Sequence, residues 1–239
     1  MLKVDGVSFE ANGKKILNNV SLEMGKGEVR GLLGPNGSGK TTLLDLIAGV
    51  KKPSGGSITV EGEIGYLFQF PERNIFAENV FDEIAFWARN KKMSQINDRV
   101  RNVMSSVRLD FNGFYKRSPF LLSYGEKRKV SIASILIGEP DLILFDEPDA
   151  GLSKKSMEDL IYTIREYSEK GISFLIVSHN LVFLSKITDK IDILLNGRVE
   201  FEGQFEECCE LCRKLHYKPP FECELILNFP EIFTKFKNS

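Results

Sequence analysis

The stretch "GEVRGLLGPNGSGKTTLLDLIAGV", Gly27 to Val50, decides the architecture. Its first third is a short apolar strand that stops at Gly34. Its last third has helical spacing, with Leu43, Leu44, Ile47 and Val50 on one side. Between them, Gly34, Pro35, Asn36, Gly37, Ser38, Gly39, Lys40, Thr41 and Thr42 fit the pattern G-x-x-x-x-G-K-[ST] in the strand-to-helix context it requires. Glycines let backbone N–H groups turn inward around an anion, and a helix N-terminus adds about half a positive charge. Lys40 is placed to reach the β- and γ-phosphates of a nucleotide, and the Thr41 hydroxyl to coordinate Mg²⁺. A glycine-rich turn without a ligand is the bland alternative.

Other polar residues follow apolar strands in the same way. "LILFDEP" is a continuous apolar run, the mark of a strand buried on both faces of a parallel sheet. Asp146 at its end can hold Mg²⁺, and Glu147 can orient or deprotonate an attacking water. An acidic pair in this position is otherwise a common helix N-cap. His179 closes "FLIVSH", where a donor to a γ-phosphate is wanted, though a buried-edge histidine is the ordinary reading. Gln69 closes "YLFQF", where an amide can bridge Mg²⁺ or its waters.

Around these landmarks the chain alternates strands and helices, which argues α/β with a mostly parallel sheet. "KVDGVSF" and "KKILNNVSLEM" read as strands joined by "ANG", and "GGSITVEGEIGYLFQF" is strand-like again. From Asn79 to about Ser118 the pattern is helical and polar, an inserted subdomain. "VSIASILIG" and "SMEDLIYTIREYSEKG" are helices, and "KIDILLNGRVEFEG" is a hairpin with an Asn-Gly turn. The tail from about Phe205 reads as helical until "KPP" at Lys218 to Pro220.

Bulk properties restrict the function. The 239 residues carry 32 cations and 33 anions, a net charge of −1, which is no footprint for a nucleic-acid binder. No apolar run approaches the roughly 18–20 residues of a membrane span, and "MLKVDGVSFE" lacks a signal-peptide core. The expectation is a cytoplasmic protein that meets a membrane only through a partner. The four cysteines, Cys208, Cys209, Cys212 and Cys223, lie near the C-terminus. "FEECCELCRKL" has the spacing of an amphipathic helix, with a metal or redox site as the alternative.

One stretch is unexplained by a single phosphate site. "LLSYGEKRKV", Leu121 to Val130, sets Ser123, Gly125, Glu126 and three cations together, far downstream of the phosphate loop. With "GPNGSGKTT", "FQFPE", "LLSYGEKRKVSIASIL", "LILFDEP" and "IVSH" in this order, the chain resembles the ATP-binding cassette (ABC) ATPases over about Leu2 to Gly203. The resemblance implies a P-loop ATPase of the ABC type, with an antiparallel β subdomain, an inserted helical subdomain (about 79–138) and a short C-terminal helical tail. The boundaries expected are 1–204 for the ATPase domain and 205–239 for the extension, a dimer contact.

The same resemblance makes Gly34 to Thr42 the ATP loop, with Thr41, Gln69 and Asp146 around Mg²⁺. Glu147, His179 and Gln69 are its catalytic group. Ser123, Gly125 and Glu126 match the signature motif, which in that family serves the ATP of a second subunit. "FQFPERNIFAENVFDEIAF" looks narrower still, similar to the energy-coupling factor (ECF) ATPases of cobalt and vitamin importers. That likeness implies a second ABC ATPase, a transmembrane coupling protein and a small substrate-binding membrane protein as partners, at the cytoplasmic face of the membrane. A conventional ABC importer or exporter is the next reading, and a soluble ABC protein the remotest.

Three departures stand out. The family usually places an adenine-stacking aromatic where this chain has Ala11, with Phe9 or Ile16 as candidate substitutes. Ser153 stands in "GLS" where the family has aspartate near the dimer seam. The link between "VEG" and "EIGYLF" is shorter than usual. These favour a heterodimer of unequal ATPases over a homodimer.

Overall fold

The computed structural model describes residues 1–70, 74–188 and 190–204, together with Glu207. Apart from Glu207, the expected C-terminal extension, with all four cysteines, lies outside the described residues. Nine strands and seven α-helices follow one another in the described chain.

Strands β1 (Leu2–Ala11) and β2 (Lys14–Met24) form a hairpin over the turn Asn12–Gly13, and β4 (Gly55–Val60) pairs with the other edge of β1. This gives a three-stranded antiparallel sheet in the order β2-β1-β4. The second sheet has six strands, β5-β6-β7-β3-β8-β9. It is parallel except for the last pair, β8 (Lys190–Leu195) with β9 (Arg198–Gln204). Asn196 and Gly197 both have positive φ in the turn that joins that pair, as the Asn-Gly signal demands.

Strands β6 (Leu142–Asp146) and β7 (Ser173–Val177) are buried at every residue. Their side chains alternate between two cores, which is why these strands read as unbroken apolar runs. Leu142, Leu144, Leu175 and Val177 face the antiparallel sheet and helix α1 (Lys40–Ile47), whose Leu43, Leu44, Leu46 and Ile47 fill the space between. Ile143, Phe145, Phe174 and Ile176 face the opposite core. There α6 (Lys154–Glu169) and α7 (Leu181–Ile187) pack. The helical insert also closes on this core through α2 (Val80–Asn90), α3 (Ile96–Ser106), the short α4 (Phe111–Phe114) and α5 (Tyr124–Leu136).

Several expectations are adjusted. Helix α1 ends at Ile47, so Val50 falls beyond it and is 59% exposed. Strand β5 (Ile64–Leu67) ends two residues before Gln69, and β7 two residues before His179. The "LLSYGEKRKV" stretch runs into α5, with Ser123 as the N-cap. Helix α7, capped by Asn180, has no counterpart in the sequence reading because seven residues are too few to show a period.

A charge cluster ties β3 (Val29–Leu33) to the hairpin beside it. The guanidinium of Arg30, 1% exposed, meets Glu28 at 2.8 Å, Glu202 at 2.9 Å and Asp192 at 3.4 Å.

Candidate functional site

Register sets the site. Leu32 of β3 lies opposite Val177 of β7, Asp146 of β6 pairs with Val177, and Leu67 of β5 pairs with Phe145. The C-terminal ends of β3, β5, β6 and β7 therefore lie along one sheet edge. These strand ends and the segments leaving them carry Gly34 to Thr42, Gln69, Asp146 with Glu147, and His179. Open α/β sheets bind ligands at this edge.

The glycine loop is shaped by close approach. A Cβ on Gly34 would lie 2.2 Å from the Leu194 carbonyl oxygen, and one on Gly39, at φ +107°, 2.6 Å from Leu17 Cδ2. Only glycine lets the backbone pass there. Asn36 and Gly37 are exposed, Pro35 and Thr42 half-buried, and Ser38 buried. The Lys40 ammonium is buried and donates to the carbonyls of Gly34 and Pro35 at 2.8 and 3.0 Å. Burial pushes its pKa down, against the opposing pull of Glu147 and Asp146. The Ser38 hydroxyl is buried and finds no partner among the described residues. Leaving a buried polar atom unmatched costs about 1–3 kcal/mol. An anion seated in the loop would supply the acceptor.

Across the loop, the exposed Thr41 donates its hydroxyl to Asp146 Oδ2 at 2.8 Å. Asp146 is 2% exposed, and burial holds its carboxyl above the usual range, helped by Glu147 and opposed by Thr41 and Lys40. Two hard oxygens together at the mouth of a phosphate loop fit Mg²⁺, whose charge would reverse the effect of burial on Asp146. Glu147 stands at the centre of the remaining group. One carboxylate oxygen accepts from Gln69 Nε2 at 3.2 Å, and the other lies 3.3 Å from His179 Nε2. Its backbone is left-handed, with φ +51°, and its N–H donates to the Val177 carbonyl at 2.9 Å. Gln69, Asp146, Glu147, His179 and the glycine loop are thus brought into one place.

Ser123, Gly125 and Glu126 are not part of that group. They open α5, where Ser123 is the N-cap in a reciprocal capping box. The Ser123 hydroxyl and backbone N–H both donate to Glu126 Oε2 at 2.8 Å, while the Glu126 N–H donates weakly to the Ser123 hydroxyl at 3.4 Å. The bond from the hydroxyl holds the Glu126 pKa below its ordinary value. The S-x-x-E spacing is the sequence signal of this box, and it coincides with the signature motif.

Two further residues were also missed. Buried Asp149 accepts a 2.7 Å bond from the Ser178 hydroxyl, and Ser178 accepts the N–H of Asn180 at 2.9 Å. The loop after Glu147 is thereby joined to the residues on either side of His179. Of the departures, Ala11 is half-buried at the end of β1, and Ile16 borders the glycine loop, with its Cγ2 3.6 Å from a Cβ built on Gly39. Phe9 packs against the core and has the Lys51 ammonium 5.9 Å from its ring. Ser153 caps α6, its hydroxyl accepting the Ser156 N–H at 3.3 Å.

On the flank of the insert, a groove of about 710 Å³ runs between β5 and helices α2 and α5, lined by Tyr66, Phe68, Phe76, Phe86 and Trp87. Phe76, Phe86 and Trp87 are all exposed.

Residues 17–150 match the family model for ABC transporters. The energy-coupling factor transporter ATP-binding protein EcfA2 of Thermotoga maritima is 38% identical, covering 82% of this chain and 78% of that one. Its counterpart in Clostridium acetobutylicum is 36% identical, covering 84% and 76%. Among solved structures, cbiO1 of Clostridium perfringens, described as part of the ABC transporter complex cbiONQ, superimposes with a TM-score of 0.80 at 27% identity. That match covers 99% of this chain and 98% of that one. The chain belongs to the ABC transporter family, and within it is an ATPase subunit.

Proposed function

We propose that this chain is the ATP-hydrolysing subunit of an energy-coupling factor importer for vitamins or transition-metal ions. The observation that carries the reading is the exposed aromatic groove beside the strand that leads to Gln69, in a chain similar to EcfA2 proteins. An apolar helix of a transmembrane coupling protein is its occupant, and a small substrate-binding membrane protein completes the assembly. The chain then sits peripherally on the cytoplasmic face. Its net charge of −1 is no footprint for a dedicated nucleic-acid binder.

In the catalytic cycle, residues Gly34 to Thr42 cradle the phosphates. Lys40 exchanges the carbonyls of Gly34 and Pro35 for β- and γ-phosphate oxygens, and Ser38 gains an acceptor. Mg²⁺, held by Thr41, Asp146 and Gln69, would neutralise charge on the phosphates. Glu147 takes the proton of the attacking water, with its carboxylate held by Gln69 and His179. His179 is 41% exposed at its side chain, which leaves it able to turn to the γ-phosphate. Ser123, Gly125 and Glu126, at the start of α5, face the nucleotide of a second ABC ATPase. Ala11 places no ring against the base in this chain's own site, which favours a heterodimer of unequal sites over a homodimer, with residues 205–239 as a dimer contact.

Co-expression with a T-type coupling protein tests the assembly. The expected result is recovery of both from membranes, with recovery weakened by Trp87→Asp in the groove. Recovery of this chain without the membrane protein would overturn the ECF reading. Glu147→Gln purified alone and given ATP should stay monomeric by native mass, and a tight homodimer would exclude the unequal pair.

A further inference from the structure

Arg128 lies within the cation run that closes "LLSYGEKRKV", yet it is 1% exposed. Burying a guanidinium is costly unless its N–H groups find acceptors. Its Nη1 donates to the backbone carbonyl of Glu147 at 3.3 Å, and its Nη2 to the Tyr124 hydroxyl. Its Nε has no partner among the described residues. No carboxylate pairs with it there, so this is a buried cation spent on one main-chain carbonyl and one phenol.

The carbonyl it holds belongs to the residue under most conformational demand in the site. Glu147 has φ +51°, where side chains other than glycine rarely sit, and such a backbone persists only when its surroundings fix it. The Glu147 N–H is fixed by Val177, and its carbonyl receives both the Ala150 N–H at 3.3 Å and Arg128. The same helix that carries Arg128 begins at Ser123. Its first turn is packed on the loop beyond Glu147 and on the start of α6: a Cβ on Gly151 would sit 3.3 Å from the Tyr124 ring, and one on Gly125 3.2 Å from the Ser156 hydroxyl.

We propose that Arg128 is a positioning residue that holds Glu147 in its left-handed, carboxylate-inward conformation and makes that conformation depend on the seating of α5. A ligand that shifts the N-terminus of α5 would then move the Glu147 carbonyl directly, linking the surface at Ser123 to this chain's own carboxylate through one side chain. The inference rests on the reading of Glu147 as the proton acceptor.

The test is a double-mutant cycle in the full chain, with single-turnover hydrolysis measured at enzyme in excess over radiolabelled ATP. Arg128→Met should lower the rate about 10- to 100-fold, the scale expected when a reacting group is displaced by about 1 Å. The ATP dissociation constant should stay within about twofold, and Arg128→Lys should recover at least a third of the lost rate. In the Glu147→Gln background, Arg128→Met should cost nothing further, because it acts through a carboxylate that is no longer there. An equal loss in both backgrounds, or an unchanged rate in Arg128→Met, overturns the proposal. Should Arg128→Met not fold, Arg128→Gln decides in its place: a rate loss with unchanged ATP binding and thermal midpoint supports positioning, and an unchanged rate refutes it. Full turnover in Glu147→Gln would instead refute the reading of Glu147, an outcome separate from any behaviour of Arg128.

Discussion

Replacing Asp192 by Asn should make the protein's stability less sensitive to pH. Asp192 on β8 is fully buried, and three carboxylates crowd one guanidinium: Arg30 Nη1 lies 3.4 Å from Asp192 and 2.9 Å from Glu202, while Nη2 is 2.8 Å from Glu28. Burial is the largest influence on Asp192 and raises its pKa to about 7, with Arg30 opposing and Glu202 adding to the rise. In the unfolded chain an aspartate titrates near 3.9. Between those values the folded state keeps a proton that the unfolded state has released, so stability is highest at the acid end and falls as pH rises towards 7.

One proton of difference changes stability by about 1.4 kcal/mol per pH unit, so the step from pH 5 to pH 7 is worth at most about 2–3 kcal/mol. For a chain of this size that is roughly 5–10 °C in thermal midpoint. Asn keeps an acceptor for Arg30 and leaves Glu28 and Glu202 to balance it. Thermal unfolding followed by circular dichroism, at constant ionic strength from pH 5 to 8, should show Asp192→Asn losing less midpoint than the parent over this interval. Parallel curves for the two proteins would refute the reasoning.

Two other substitutions separate binding from folding. Gly34→Ala would drive a methyl into the Leu194 carbonyl, 2.2 Å away, so nucleotide affinity measured by calorimetry should fall at least about tenfold. Phe145→Ala removes a ring that is 1% exposed and packs 5.7 Å from Phe174, at a cost of about 3–5 kcal/mol in denaturant unfolding.

What was legible in the sequence follows from local sterics and burial. The phosphate loop could be read because its close contacts admit only glycine at Gly34 and Gly39, and that leaves a fixed spacing. Strands β6 and β7 could be read because both faces are buried, which removes polar residues from the run. Asp146 was legible at the end of its strand, and Glu147, His179 and Gln69 as residues following strands, although β5 and β7 stop sooner than "FQF" and "VSH" suggest. The rest depends on tertiary partners. A cation run such as "KRK" looks like a solvated face, and nothing local reveals that Arg128 points inward to Glu147. The left-handed backbone at Glu147 has no glycine to announce it. Ser153 reads as a lost charge in sequence, whereas in the fold its hydroxyl starts a helix.

The capping box at Ser123 has a consequence for how two subunits would meet. Its hydroxyl already spends its proton on Glu126, at 2.8 Å. A phosphate oxygen arriving from outside would have to displace that carboxylate, trading one anionic acceptor for another. Such a swap turns a carboxylate loose beside an incoming anion of the same sign, which sets a cost against the new bond. A phosphate contact at this hydroxyl would therefore be set against the Ser123–Glu126 bond that it has to break.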